Sequence, residues 1–147
     1  LESPTLKWFP EFAELDHVDR AHGAGTGSVA EAVFAGTSDE LAEVYESVVG
    51  KLSDCLANPQ EMVEPGGPLT DDGFDVKASR LSQFGLRSAD FGLRQQIVGL
   101  CDHRLALVLS NTRLVVVEFW TGDHQADRFD DSDFETLVER AVRQANA

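Results

Sequence analysis

The stretch that decides the fold is Arg104-Leu-Ala-Leu-Val-Leu109, Ser110-Asn-Thr112, Arg113-Leu-Val-Val-Val-Glu-Phe-Trp120. Two runs rich in Val, Leu and aromatics flank a short polar turn in which Asn111 tolerates a left-handed backbone. That pattern specifies a long antiparallel β-hairpin. On its second strand Val115, Val117 and Phe119 point one way, and Leu114, Val116, Glu118 and Trp120 the other. On the first strand Leu105, Leu107 and Leu109 share a face, with Ala106 and Val108 opposite. A sheet with one wet face would alternate cleanly between apolar and polar residues, and this one does not. The hairpin is therefore expected to be central, with apolar cover over both faces. A helix, a ligand or a partner would each supply that cover.

Working outward, the clearest helix begins at the capping box Thr37-Ser-Asp-Glu40. Its apolar stripe is Leu41, Val44, Tyr45, Val48, Leu52, Cys55 and Leu56, and Asn58-Pro59 ends it. A last helix is expected from a second capping box, Ser132-Asp-Phe-Glu135, with the stripe Phe134, Leu137, Val138, Ala141, Val142 and Ala145. Further strands are read at 28–34, 74–81 and 89–98, and a loop with Pro and Gly breakers at 60–73. Trp8 and Phe9 sit in an extended, Pro-bounded stretch, 11–16 reads as a short helix, and 21–27 as a soft connector. Gly23, Gly25 and Gly27 precede a strand instead of following one, so they do not make a phosphate-binding loop. The order is β–α–β–β–β–β–α, an α+β domain on a mostly antiparallel sheet of about five strands. One domain over residues 1–147 is expected, with 1–27 an extension and 28–147 the core.

The 147 residues suffice to bury roughly two thirds of the unfolded surface in a single core. Acidic residues outnumber basic ones 26 to 12, for a net charge of −14. Such a field repels nucleic acid and disfavours direct docking on an anionic membrane. The chain opens at Leu1-Glu2-Ser3-Pro4 without Met, which is compatible with a signal or anchor upstream. No cofactor or metal motif is present: the acidic stretch 123–135 fails the EF-hand pattern, because position 3 is Phe129 and position 6 is Ser132. No nucleophile elbow or zinc-protease motif occurs either, so no catalytic residue is assigned. The histidines at 17, 22, 103 and 124 read as solvated residues of connecting or strand-edge segments. Trp120, beside Leu114 and Val116 on the mixed face of the hairpin, is the candidate for lining a cleft. Arg80, Arg94 and Arg113 are strand cations able to meet a ligand carboxylate or phosphate. Leu114, Val116, Trp120 and Arg94 are therefore the candidate ligand-binding set. Spacing leaves Cys55 and Cys101 open to two readings, one disulfide or two buried thiols.

A strand ending in Phe34, a helix closing with Cys55, polar strands around Asp90 and Arg94, the strand Asn111-Thr-Arg-Leu-Val-Val-Val117 and a final Ala-rich helix together resemble a known layout. It is that of the extracytoplasmic sensor domains of actinobacterial PknH-type receptor kinases and related lipoproteins. The resemblance spans roughly residues 28–147. It implies a secreted or membrane-tethered α+β domain, a cleft for a small ligand and no enzymatic activity. That family carries two disulfides, whereas this chain has two cysteines, so the resemblance favours a single Cys55–Cys101 bridge. The alternative reading is an interaction module: a homodimer or partner interface on the mixed face, including an acidic, cytoplasmic secretion-chaperone-like role.

Overall fold

The computed structural model describes residues 3–24, 27–57, 63–64, 67–71, 87–95, 102–121 and 131–146. The α+β class and antiparallel sheet are as read, but the described residues form seven strands where about five were expected, in the order β1-β2-β7-β6-β5-β4-β3, with helices on both faces. The hairpin of the opening stretch is β6 (Asp102–Leu109) and β7 (Leu114–Thr121). It lies at the centre, between β5 (Arg87–Gln95) and β2 (Gly27–Ala35). Its ladder closes at Leu109 opposite Leu114. The turn is thus four residues long, with Ser110 N–H donating to the Arg113 carbonyl at 2.9 Å and Ser110 Oγ accepting from Arg113 N–H at 3.0 Å.

Both faces of the hairpin are covered by the chain itself. Helix α2 (Ser38–Ala57) and the N-terminal segment bury Leu105, Leu107, Leu109, Leu114 and Val116. Helix α3 (Asp131–Ala145) buries Ala106, Val108, Val115, Val117 and Phe119 on the other side. The period-2 split read from the sequence is the split observed. Leu41, Val44, Tyr45, Val48 and Leu52 of α2 are all core residues, as are Phe134, Leu137, Val138, Ala141 and Val142 of α3. Helix α3 starts at Asp131, so Ser132 is already helical.

The first capping box forms in full: Thr37 N–H donates to Glu40 Oε1 at 3.0 Å, and Glu40 N–H to Thr37 Oγ1 at 3.1 Å. These bonds hold the Glu40 carboxyl below its usual range. Thr37→Ala is expected to cost about 1 kcal/mol, read as a lower urea midpoint at unchanged slope.

The N-terminal reading needs correction. Residues 4–8 form a short helix, α1 (Pro4–Trp8), in place of an extended stretch. Ser3 caps it by accepting from Leu6 N–H at 3.2 Å, with Pro at the start, where its missing N–H costs nothing. A 3-10 turn follows at Pro10–Glu14. Phe9, Phe12 and Leu15 enter the core, and Phe12 stacks on Phe34 with ring centroids 4.9 Å apart. Most of the supposed connector is β1 (Asp16–Ala24), paired with β2 from Asp16–Ala35 to Ala24–Gly27. It is an edge strand with little apolar content, which hid it from a reading based on hydrophobic alternation. Gly27 is required where the chain passes Phe119: a Cβ there would stand 2.5 Å from Phe119 Cε2.

Residues 63–64 and 67–71, read as loop, form β3 (Val63–Glu64) and β4 (Gly67–Asp71) at the opposite edge. The strand expected at 74–81, Arg80 within it, lies outside the described residues, as do Cys101 and the side chain of Cys55.

Candidate functional site

Two features outside the ordinary core stand out: a buried polar cluster on the α2 face and an open groove on the α3 face. The cluster is built on the central hairpin. His103 of β6 and Glu118 of β7 lie diagonally across the ladder, since His103 pairs with Trp120 and Leu105 with Glu118. The imidazole Nε2 stands 2.6 Å from Glu118 Oε2, with both side chains only 1% exposed. Helix α1 closes over them. Thr5 Oγ1 donates to Glu118 Oε2 at 2.6 Å, Ser3 Oγ donates to Oε1, and Trp8 meets the His103 ring edge-on at 5.5 Å. Burial alone would push the Glu118 carboxyl up. The His103 hydrogen bond and charge, with the two hydroxyls, outweigh it and hold the group below its usual range.

His103 is therefore not the solvated residue its sequence position implied. The signal for the cluster was present: Glu118 interrupts an eight-residue apolar strand with apolar neighbours on both sides, and a carboxylate there must find partners. Which partners it finds depends on long-range pairing and on α1, which periodicity does not reach. With its carboxylate saturated and its members enclosed, the cluster ties the N-terminal segment to the central hairpin.

The groove lies between the C-terminal half of α3 and the β1–β2 edge and has a volume of about 390 Å³. Val18 and Val33 are its floor, Ala141, Gln144 and Ala145 its helical wall. Val18, 78% exposed, is the exposed large hydrophobic residue of the described chain. Next to it Arg20 donates Nε at 3.0 Å and Nη2 at 2.7 Å to Glu31 Oε2. Glu31 is almost buried, while Arg20 remains 64% exposed. The result is an apolar trough with a charged, oriented end, the usual constitution of a small-molecule cleft.

The candidate ligand set read from the sequence falls elsewhere. Leu114 and Val116 lie in the core beneath α2 and the N-terminal segment. Trp120 is half-buried on the same face, opposite His103. Arg94 lies in β5 opposite Asp102, with its side chain outside the described residues. Arg113 spends its guanidinium on the Thr112 carbonyl at 2.7 Å. Leu114, Val116 and Trp120 thus share one face of β7, with Leu114 and Val116 closed off in the core. The groove residues Val18, Arg20, Glu31 and Val33 escaped notice because β1 itself did.

No protein-family model matches the sequence, and no curated protein matches it. Among solved structures, the extracellular domain of PknH from Mycobacterium tuberculosis superposes with a TM-score of 0.57 at 16% identity. The match covers 93% of this chain and 69% of that one. The fold is thus similar to that of this extracellular domain. A second structure, the Zhui aromatase/cyclase from Streptomyces sp. R1128, aligns over 90% of this chain with a TM-score of 0.32 and 15% identity. Among the described residues, no helix is long and apolar enough to cross a membrane.

Proposed function

We propose that this chain is a non-catalytic, extracytoplasmic, sensor-like module that binds a small apolar or amphipathic ligand in the groove between α3 and the β1–β2 edge. The observation that carries this reading is the open trough itself, floored by Val18 and Val33 and ended by the Arg20–Glu31 pair. Leaving Val18 in water forgoes about 1.5 kcal/mol of burial, which a ligand's apolar body would recover. Arg20 and Gln144 then serve its polar end. Fold likeness to the extracellular domain of PknH supports the sensor-like and extracytoplasmic parts of the proposal. The non-catalytic part is supported by the burial of the His103–Glu118 pair, whose side chains are each only 1% exposed.

The test is a panel of fatty acids, lysolipids and aromatic acids, followed by thermal shift and native mass spectrometry. At least one class is expected to bind, and Val33→Glu, which sets a second carboxylate beside Glu31, is expected to weaken it at least tenfold, about 1.4 kcal/mol. No bound species across the panel, or binding indifferent to Val33→Glu, would overturn the proposal.

A further inference from the structure

We infer that β1 is the interface of a homodimer, in which the strands of two copies pair antiparallel about a two-fold axis through Val18. The inference does not rest on a ligand in the groove, although the pairing draws on Val18 and Arg20, which the proposed site also uses. Among the described residues strand β1 ends the sheet, pairing with β2 along one side and leaving the other side of its nine-residue backbone unpaired. An edge of this length is a template for another strand.

The sequence of the edge selects both the occupant and the register. In antiparallel pairing, residues whose N–H and C=O point outward must oppose residues of the same kind, and these alternate along the strand. A strand meeting its own copy must therefore place one residue opposite itself. Centring on Asp19 opposes two carboxylates, and centring on Arg20 opposes two guanidiniums. Centring on His17 sets Asp16 against Val18, and centring on Ala21 sets Arg20 against His22. Centring on Val18 differs from all of these. It opposes Val18 to the partner's Val18 once on the axis, and Asp16 to the partner's Arg20 and His17 to the partner's Asp19 twice each by symmetry. Every charged residue of the segment 16–20 then meets its opposite or a histidine, and the exposed Val18 is covered.

The local geometry accommodates this pairing. Asp16, Val18 and Arg20 share the α3 face, since Val18 pairs with Val33 and Arg20 with Glu31. Arg20 commits Nε and Nη2 to one Glu31 oxygen, so Nη1 is available for the partner's Asp16. On the other face His17 stacks on Phe34 at 5.0 Å and lies 3.4 Å from Asp19, holding both near the positions the partner needs. The chain before β1 folds over the sheet, with Phe12 on Phe34 and Glu11 bonded to Ser47 and Lys51 of α2. The net charge of −14 opposes association at long range, but at physiological salt that repulsion is screened beyond about 8 Å, whereas the edge contacts lie within it. In the dimer the two grooves would run into each other across the paired valines.

Sedimentation velocity up to about 1 mM, where even a weak specific contact populates a dimer, is the first test. The wild type is expected to dimerise, and Val18→Glu, an exposed change that leaves the core untouched, to weaken the dimer at least tenfold. In Val18→Cys, mild oxidation is expected to give a covalent dimer whose bond maps by peptide mass spectrometry to Cys at 18 in both copies. A wild type that stays monomeric at 1 mM would overturn the inference. So would a dimer unaffected by Val18→Glu, or one in which position 18 does not cross-link to itself.

Discussion

Glu118→Ala is expected to lower the unfolding free energy by about 3–5 kcal/mol, the usual cost of removing a buried charged partner and leaving polar groups without an acceptor. For a chain of this size that is a fall in Tm of roughly 10 °C. The loss is large because Glu118 accepts from His103, Ser3 and Thr5 at once. Without it, an imidazole and two hydroxyls stay buried with no acceptor, while α1 loses its tie to the hairpin. Glu118→Gln keeps the shape and much of the hydrogen bonding, so about 1–2 kcal/mol is expected.

The two variants also separate in their pH response. The folded carboxyl titrates below its ordinary value of 4.5. Its contribution to stability is present above that value and is lost as pH falls through the depressed folded one. Urea midpoints of the wild type should therefore fall on acidification below about pH 4.5, and Glu118→Gln should remove that part of the slope. An alanine variant within 1 kcal/mol of the wild type, with an unchanged acid limb, would mean that the cluster does not hold the N-terminal segment.

Phe34→Ala is the second substitution of large effect, at about 3–5 kcal/mol. Phe34 is fully buried, with the rings of Phe12 and His17 stacked on it at 4.9 and 5.0 Å. Removing it leaves a cavity beneath both the 3-10 turn and the first residues of β1. Hydrogen exchange should accelerate most in residues 9–20 and least in the hairpin strands β6 and β7. Uniform acceleration would instead show that the N-terminal segment and the sheet open together.

Legibility of this chain from sequence followed how local each signal was. The face assignment of β6 and β7 was correct because period-2 alternation fixes it residue by residue. Helices α2 and α3 were correct because Leu41 to Leu52 and Phe134 to Ala145 repeat at helical spacing. Strand β1 was missed because an exposed edge needs few apolar side chains: in Asp16-His-Val-Asp-Arg it has only Val18. Helix α1 spans one turn, too short for periodicity, although Ser3 followed by Pro4 is a start signal. Leu114 and Val116 of the candidate ligand set are core residues for a related reason. An apolar second face was correctly inferred at Leu114 and Val116, but the chain's own α2 and N-terminal segment cover it. The free apolar surface sits at Val18 and Val33, on the strand pair whose first member went unseen.

The measurement that tests the account most directly is an amide chemical-shift titration of the labelled protein with a ligand class taken from the panel. Perturbations are expected at residues 18–20, 31–33 and 141–145, which line or flank the groove, with few at 103–109 or 114–118. Shifts centred on the hairpin and α2, or no saturable shifts at all, would contradict it.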